Sequence, residues 1–287
     1  MPELPEVETV VRSLRPHLEG RVVTHVGPVR PPTLARDSLP LSEAVGRRVV
    51  RVWRRGKLAM MDLAAPGREQ LVLATHLRMT GALLAMEGAF PDVGSVDALA
   101  VKHTRVVLGL SAGGAFPCAV TLRFDDARTF GRMLLTNAAG LGSWPFWRDL
   151  GPEPLEVSEA EFIARLRGRR AIKAVLLDQR VVAGVGNIYA DESLFMAGIA
   201  PRRLANTLAS DEGAALLRAL RAVLSLAIEQ CGSSIRDYRD ADGRTGAFQN
   251  SFAVYGRAGE PCRRCGATLA RDRVAGRGTV FCPRCQR

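Results

Sequence analysis

Pro2 and Glu3 stand directly behind the initiator methionine, and their types and order carry the sharpest chemistry in this chain. A small second residue such as proline permits removal of Met1, which would leave the secondary α-amine of Pro2 as the terminus. An α-amine titrates near about 8, so an appreciable fraction is free base and nucleophilic at neutral pH. Its addition to an aldehyde-level carbon gives a cationic iminium, a strong electron sink. Glu3 beside it can give or shuttle the proton that such chemistry requires. A proline-containing terminus in an arbitrary protein is more often a frayed end, so the rest of the chain has to decide.

The next chemical feature is at the other end. Cys262-Arg263-Arg264-Cys265 and Cys282-Pro283-Arg284-Cys285 are two CxxC pairs separated by sixteen residues. Four thiolates at this spacing suit one tetrahedral zinc closing a β-hairpin, with no coordination position left open, so the ion is structural. Seven arginines (263, 264, 271, 273, 277, 284 and 287) face a single acid, Asp272, in this module. That excess suits a duplex clamp. Cys118 and Cys231 are expected to be buried spectators. Gly184-Val185-Gly186-Asn187-Ile188-Tyr189-Ala190 reads as a glycine-flanked turn opening a helix, whose N–H groups could hold a phosphate oxygen, with Asn187 as cap or phosphate ligand. Lys57, His103, Arg128 and Lys173 are basic residues in β- or turn-like contexts, each alone an ordinary surface charge. His17, His25 and His76 show no ligand spacing.

The elements that must position these groups follow from periodicity. Val7, Val10, Val11, Leu14 and Leu18 share one face of a helix expected from Pro5 to about Leu18, with Glu6 and Glu8 in its first turn and Gly20 after its end. Short β-branched runs follow to about Met133: 48–53, 57–61 after the Arg54-Arg55-Gly56 turn, 70–77, 82–86, 104–110 and 119–124. They suggest an antiparallel sandwich, with residues 109–117 as a hairpin loop. Residues 137–154, rich in Gly, Pro and Trp, read as a linker. Beyond them the period is helical: a Ser158–Glu161 capping box, then 171–178, 187–197 stopped by Gly198 and Pro201, and 211–231 closed by Gly232. Residues 233–249 read as a polar loop.

The chain has 287 residues, 47% of them hydrophobic, and a net charge of +11. It is long enough for one large or two ordinary cores. No apolar run could span a bilayer and no basic-then-apolar leader is seen, so a cytosolic protein with reduced cysteines is expected. The positive charge calls for an anionic partner. No basic amphipathic helix favours a membrane surface, and aromatics at 6% are too scarce for a single-strand stacking platform. A duplex fits best.

The N-terminal block, the Gly184–Ala190 turn and the four-cysteine terminus, in this order, resemble the formamidopyrimidine-DNA glycosylase family. Further matching stretches are Lys57 after its turn, His76-Leu77-Arg78-Met79-Thr80-Gly81, Asp126-Ala127-Arg128-Thr129-Phe130-Gly131, 151–155, Ala171-Ile172-Lys173 and Val254-Tyr255-Gly256. The resemblance implies an α+β protein: an N-terminal antiparallel β-sandwich domain with its leading helix (1–136), a linker (137–154), a helix-two-turn-helix domain with a base-capping loop (155–250) and a β-hairpin zinc finger (251–287). It implies a monomeric, cytoplasmic, nucleoid-associated bacterial repair enzyme acting on damaged double-stranded DNA, with one structural zinc on Cys262, Cys265, Cys282 and Cys285. It makes Pro2 the Schiff-base nucleophile at the deoxyribose C1′ and Glu3 the proton donor that opens the sugar. Lys57 becomes the proton donor in β-elimination, and Arg277 the arginine of δ-elimination and phosphate binding. His103, Arg169, Lys173, Asn187 and Tyr255 fall on DNA-contacting positions, and Met79, Arg128 and Phe130 on those that fill the space left by an extruded base. Two departures are the longer 109–117 hairpin and Thr129, where many relatives carry a basic side chain.

Two rivals differ in what they require. An endonuclease VIII-like enzyme for oxidised pyrimidines shares Pro2 and Glu3, but that branch usually reads Pro-Glu-Gly-Pro-Glu where this chain has Pro2-Glu3-Leu4-Pro5-Glu6. The 233–249 loop also has the length and character of a lid over an oxidised purine, so 8-oxoguanine and formamidopyrimidines are the expected substrates. A non-catalytic zinc-ribbon DNA binder would need neither Pro2 nor Glu3.

Overall fold

The computed structural model describes residues 1–27, 29–30, 32–88, 102–113, 117–234 and 238–287. The chain divides into two compact units. One is Met1–Pro2, Glu6–Arg148 and Ser233–Gly246; the other is Glu3–Pro5, Asp149–Gly232 and Ala247–Arg287.

In the first unit the helix expected from the apolar spacing is α1 (Leu4–Leu18), and Val7, Val10, Val11, Leu14 and Leu18 are all buried. Among the described residues, two four-stranded antiparallel sheets follow. One runs, in spatial order, β2 (Arg48–Arg55), β3 (Leu58–Ala65), β4 (Arg68–His76) and β8 (Arg132–Thr136). The other runs β1 (Val23–Val26), β6 (Thr104–Leu110), β7 (Val120–Asp126) and β5 (Gly81–Glu87). The two-residue period sorts β3 onto its faces. Ala59, Met61 and Leu63 join a core shared with Leu83, Leu108, Leu122, Phe124 and the α1 face. Leu58 and Met60 point the other way, into a cluster with Val72, Ala74 and Leu134. The expected sandwich is therefore present, with β1 and β8 as members that the sequence pattern does not mark as separate strands.

The outer cluster is covered by a stretch read from sequence as linker. Asn137 caps α2 (Ala138–Ser143) by accepting the Gly140 N–H at 2.8 Å, and α3 (Pro145–Arg148) follows. Leu141, Trp144, Phe146 and Trp147 lie on the apolar surface there, Trp147 edge-on to Trp53 at 5.9 Å. Of the 109–117 hairpin loop, Gly109 and Leu110 belong to β6, and 114–116 lie outside the described residues. Residues 238–246 of the polar loop are held on α1. Ala241 N–H donates to Ser13 Oγ at 3.0 Å, the Tyr238 hydroxyl to the Glu6 carbonyl at 3.2 Å, and His17 Nε2 meets Asp242 Oδ1 at 2.8 Å. Residues 235–237 of that loop lie outside the described residues.

The second unit contains α4 (Glu159–Arg165), α5 (Ile172–Leu176), α6 (Asn187–Ala197), α7 (Ser210–Glu229) and a hairpin of β9 (Ala270–Val274) and β10 (Arg277–Phe281). Leu216, Leu217, Leu220, Val223 and Leu224 give α7 its buried stripe. Helix α6 is buried on all sides from Ile188 to Phe195, Asp191, Glu192 and Ser193 included, so its polar residues must find partners inside the protein. Cys118 is only partly buried and Cys231 is exposed, against the expectation for both. Cys231 takes a left-handed conformation (φ +58°) just past α7, which turns its side chain to solvent. No helix among the described residues is long and apolar enough to cross a membrane.

Phe124 is 1% exposed in the sandwich core. Phe124→Ala is expected to cost about 3–5 kcal/mol in denaturant unfolding, and a loss below about 1 kcal/mol would contradict a core role for this ring.

Candidate active site

Glu3 is 4% exposed, and its carboxylate lies on the first turn of α6. The Ile188 N–H donates to Oε1 at 3.1 Å, and the Tyr189 N–H approaches Oε2 at 3.5 Å. A helix start leaves its first N–H groups without intrahelical partners, and an anion is favoured there. The seat exists only because residue 186 is glycine: a Cβ there would lie 2.2 Å from Glu3 Cδ. Gly184, at φ +82°, accepts the Leu4 N–H on its carbonyl at 3.0 Å. The Gln179 side chain fastens the same turn, accepting from Gly184 N–H at 3.0 Å and donating to the Val185 carbonyl at 2.8 Å. The turn expected to receive a phosphate thus receives a carboxylate from the chain itself.

In the first unit Pro2 is buried and Met1 is 43% exposed. Lys57, 5% exposed, sits in the tight β2–β3 turn beside Gly56. Arg54 fixes that turn, donating to the Gly56 carbonyl at 3.2 Å and to Glu8 of α1 at 3.0 Å. Burial opposes charge on Glu8, but the Arg12 and Arg54 guanidiniums outweigh it and hold the carboxyl below its usual range. His76 pairs with Leu58 across β3–β4, and its ring is edge-on to Phe146 at 5.4 Å. Burial, then the cations of Arg78 and Lys57, push the imidazole down to about 3, so it is neutral at physiological pH.

Met79, Arg128 and Phe130 come together on two adjoining turns of this unit. Arg128 Nη1 donates to Met79 Sδ at 3.3 Å, and the guanidinium carbon lies 4.8 Å from the Phe130 ring centre. Met79 is 41% and Phe130 46% exposed, which removes core packing as their role. Asp126, 1% exposed, ties the two turns: its carboxylate accepts the Thr80 hydroxyl at 2.5 Å, the Arg128 N–H at 3.2 Å and the Gly131 N–H at 2.7 Å. His103 is exposed just before β6, its carbonyl accepting from Asp126 N–H at 2.9 Å.

In the second unit Arg277 opens β10 and is exposed, directly after the turn residues Ala275 (φ +49°) and Gly276 (φ +73°). Asn187 is the first residue of α6 and does not cap it; its amide donates to the Gly278 carbonyl at 3.0 Å. Lys173 is fully buried on α5, contrary to a surface charge, with Nζ 2.7 Å from Asp191 of α6. Arg169 is exposed and Tyr255 half-buried. The backbone around Tyr255 is held by Glu192, whose carboxylate accepts the N–H groups of Ala253, Val254 and Tyr255 at 2.8, 2.9 and 2.7 Å. The sulfurs of Cys262, Cys265, Cys282 and Cys285 all lie within 4.8 Å of one another, with pairs at 3.5 and 4.0 Å. Tetrahedral zinc at its usual bond length sets Sγ–Sγ at about 3.8 Å. Arg264 and Cys285 N–H groups approach the sulfurs of Cys262 and Cys282, both at 3.4 Å, which suits thiolate charge. The donor set fits one structural zinc.

Residues 1–133 match the Formamidopyrimidine-DNA glycosylase N-terminal domain, 150–239 the Formamidopyrimidine-DNA glycosylase H2TH domain, and 259–287 the zinc finger found in FPG and IleRS. A formamidopyrimidine-DNA glycosylase of Thermomicrobium roseum is 46% identical, covering 100% of this chain and 99% of its own. The chain belongs to the formamidopyrimidine-DNA glycosylase family.

Solved structures of the family agree with this fold. The MutM (Fpg) protein of Thermus thermophilus is similar at 42% identity and a TM-score of 0.82, over 99% of this chain and 98% of that one. A point mutant of the Lactococcus lactis Fpg in complex with Fapy-dG-containing DNA is similar at 34% identity and a TM-score of 0.82, over 100% of both chains. The protein is therefore a DNA glycosylase with a four-cysteine zinc finger.

Sequence reasoning missed the residues that hold others in place: Asp126 with Thr80, Asp191 behind Lys173, and Glu192 under Tyr255. A local signal existed for Asp126, since an acid two residues before an N–H in a turn is a common cap. Asp191 and Glu192 gave none beyond being acids inside an apolar helix.

Gly186→Ala is expected to leave thermal stability within a few degrees of wild type, because the atom displaced is the end of a flexible side chain, yet to lower base excision by roughly a hundredfold. Wild-type excision by this variant would dismiss the Glu3 seat as functional. Removal of zinc by a chelator is expected to unfold the terminal hairpin and to weaken duplex binding at least tenfold or so; unchanged binding by a zinc-free protein would contradict a role of the finger in holding DNA.

Proposed function

We propose that this glycosylase, acting as a monomer on double-stranded DNA, removes oxidised purines, 8-oxoguanine and formamidopyrimidines, and then cleaves the abasic strand by β,δ-elimination. The observation that carries the reading is the seating of Glu3 on α6, which fixes the carboxylate next in sequence to Pro2. After loss of Met1 the Pro2 nitrogen attacks the deoxyribose C1′; the N-glycosidic bond breaks and the base leaves with its electron pair. Glu3 takes the proton that the Pro2 nitrogen sheds on bonding C1′ and gives it to the ring oxygen, so the sugar ring opens as the nitrogen lone pair forms the iminium. Loss of a C2′ proton into that sink expels the 3′ phosphate, and a second elimination expels the 5′ phosphate. Lys57, held in its turn by Arg54, supplies the proton in the first elimination, and Arg277 binds phosphate through the second. Zinc, when bound, closes the two cysteine knuckles under Arg277 and takes no part in bond making.

The lesion base is extruded for this chemistry, at about a few kcal/mol of unstacking and unpairing. Met79 and Phe130 are exposed apolar wedges for the vacated space, with Arg128 as donor to the orphaned base. His103, Arg169, Asn187 and Tyr255 contact the backbone. Oxidised purines are favoured over pyrimidines by Pro2-Glu3-Leu4-Pro5-Glu6 and by the Fapy-dG bound to the Lactococcus protein.

Borohydride trapping on an 8-oxoguanine:C duplex tests the nucleophile. Wild type is expected to give a covalent adduct, while Pro2→Gly and a protein that retains Met1 or an N-terminal tag give none and still bind DNA. An adduct that survives these changes overturns the proline mechanism. In competition, preferential cleavage of a thymine-glycol:A duplex overturns the choice of oxidised purines.

A further inference from the structure

We propose that Asp191 and Lys173 are positioning residues that set the backbone beneath Arg277, and that Lys173 makes no contact with DNA phosphate. The inference rests on the reading of Arg277 as a phosphate-binding group. Lys173 and Asp191 are both fully buried, with Nζ and Oδ1 2.7 Å apart. The same Nζ donates to Thr279 Oγ1 at 2.7 Å and to the Gly278 carbonyl at 3.1 Å, so the ammonium is spent inside the protein. Asp191 Oδ2 receives the Val280 N–H at 3.3 Å, the Asn187 amide adds a second donor to Gly278 O at 3.0 Å, and Thr279 Oγ1 donates to the Arg277 carbonyl at 3.2 Å. Groups from α5 and α6 therefore hold residues 278, 279 and 280, and Thr279 in turn holds the Arg277 carbonyl, while the Arg277 side chain stays exposed.

The pair is costly to bury. Burial lowers the lysine's pKa and raises the aspartate's to about 6, against their mutual attraction. Replacing both charges with apolar groups is often no worse for stability, whereas losing one partner strands the other. What an apolar pair cannot supply is a fixed set of bonds to three successive residues next to an exposed arginine. A buried ammonium bound in this way cannot also neutralise a phosphate.

The test is a double-mutant cycle with two readouts: single-turnover cleavage of an abasic-site duplex, and duplex affinity as a function of salt. Lys173→Met, Asp191→Asn and the charge-free combination Lys173→Met/Asp191→Leu are each expected to slow cleavage by roughly tenfold with Arg277 present, and by less than about twofold in an Arg277→Ala background. The salt slope of Lys173→Met should equal that of wild type, whereas loss of a phosphate contact lowers it by about 0.9. Should the single-charge variants fail to fold, Thr279→Val keeps the ion pair, removes only its hydroxyl link and should show the same dependence on Arg277. Equal losses in both backgrounds, or a slope reduced by about 0.9 in Lys173→Met, overturn the proposal. Wild-type cleavage and affinity in Arg277→Ala alone overturn the premise about Arg277, an outcome distinct from the other two.

Discussion

The carboxylate of Glu3 on the first turn of α6 is the interaction that fixes the N-terminal segment of this enzyme. A chain terminus is the least constrained part of most proteins, yet here its third and fourth residues are fixed by hydrogen bonds. The solution is to make the terminus a ligand of the fold. The Leu4 N–H is bonded to Gly184, Glu3 satisfies N–H groups that α6 would otherwise leave open, and Gln179 fastens the turn that makes both possible. A helix start of this kind could bind an external anion; occupied by an internal one, it becomes a clamp on the residue that follows Pro2.

A second pattern recurs. Several of the candidate DNA-contacting residues stand on backbone held by a buried polar residue. Asp126 holds the turns of Met79, Arg128 and Phe130; Glu192 holds the segment of Tyr255; Lys173 and Asp191 hold the strand of Arg277. Buried charges rarely add stability, but they fix direction, and the exposed side chains inherit it.

Much of this was legible in the sequence. The 3.6-residue period of Val7, Val10, Leu14 and Leu18 marked α1, alternation marked the strands, and the cysteine spacing marked the metal site. All three are signals carried by neighbours along the chain. What stayed hidden depends on partners far apart in sequence. Glu3 meets Ile188 and Lys173 meets Gly278, pairings that no local period encodes. Lys173 reads as a surface cation because lysines usually are; only the fold reveals Asp191 and Thr279 around it. Cys231 misled for the opposite reason, since a residue type that favours interiors was placed at a helix end where the backbone turns it outward.

Gly186 carries a consequence for descent as well as for mechanism. Because a single added carbon at 186 would occupy the space of the Glu3 carboxylate, two positions 183 residues apart share one constraint. A lineage that keeps the Glu3 carboxylate on α6 keeps residue 186 without a Cβ, while one that gives up this seat is released from that limit. In a set of relatives, a side chain at 186 should therefore mark the copies in which residue 3 no longer reaches the start of α6.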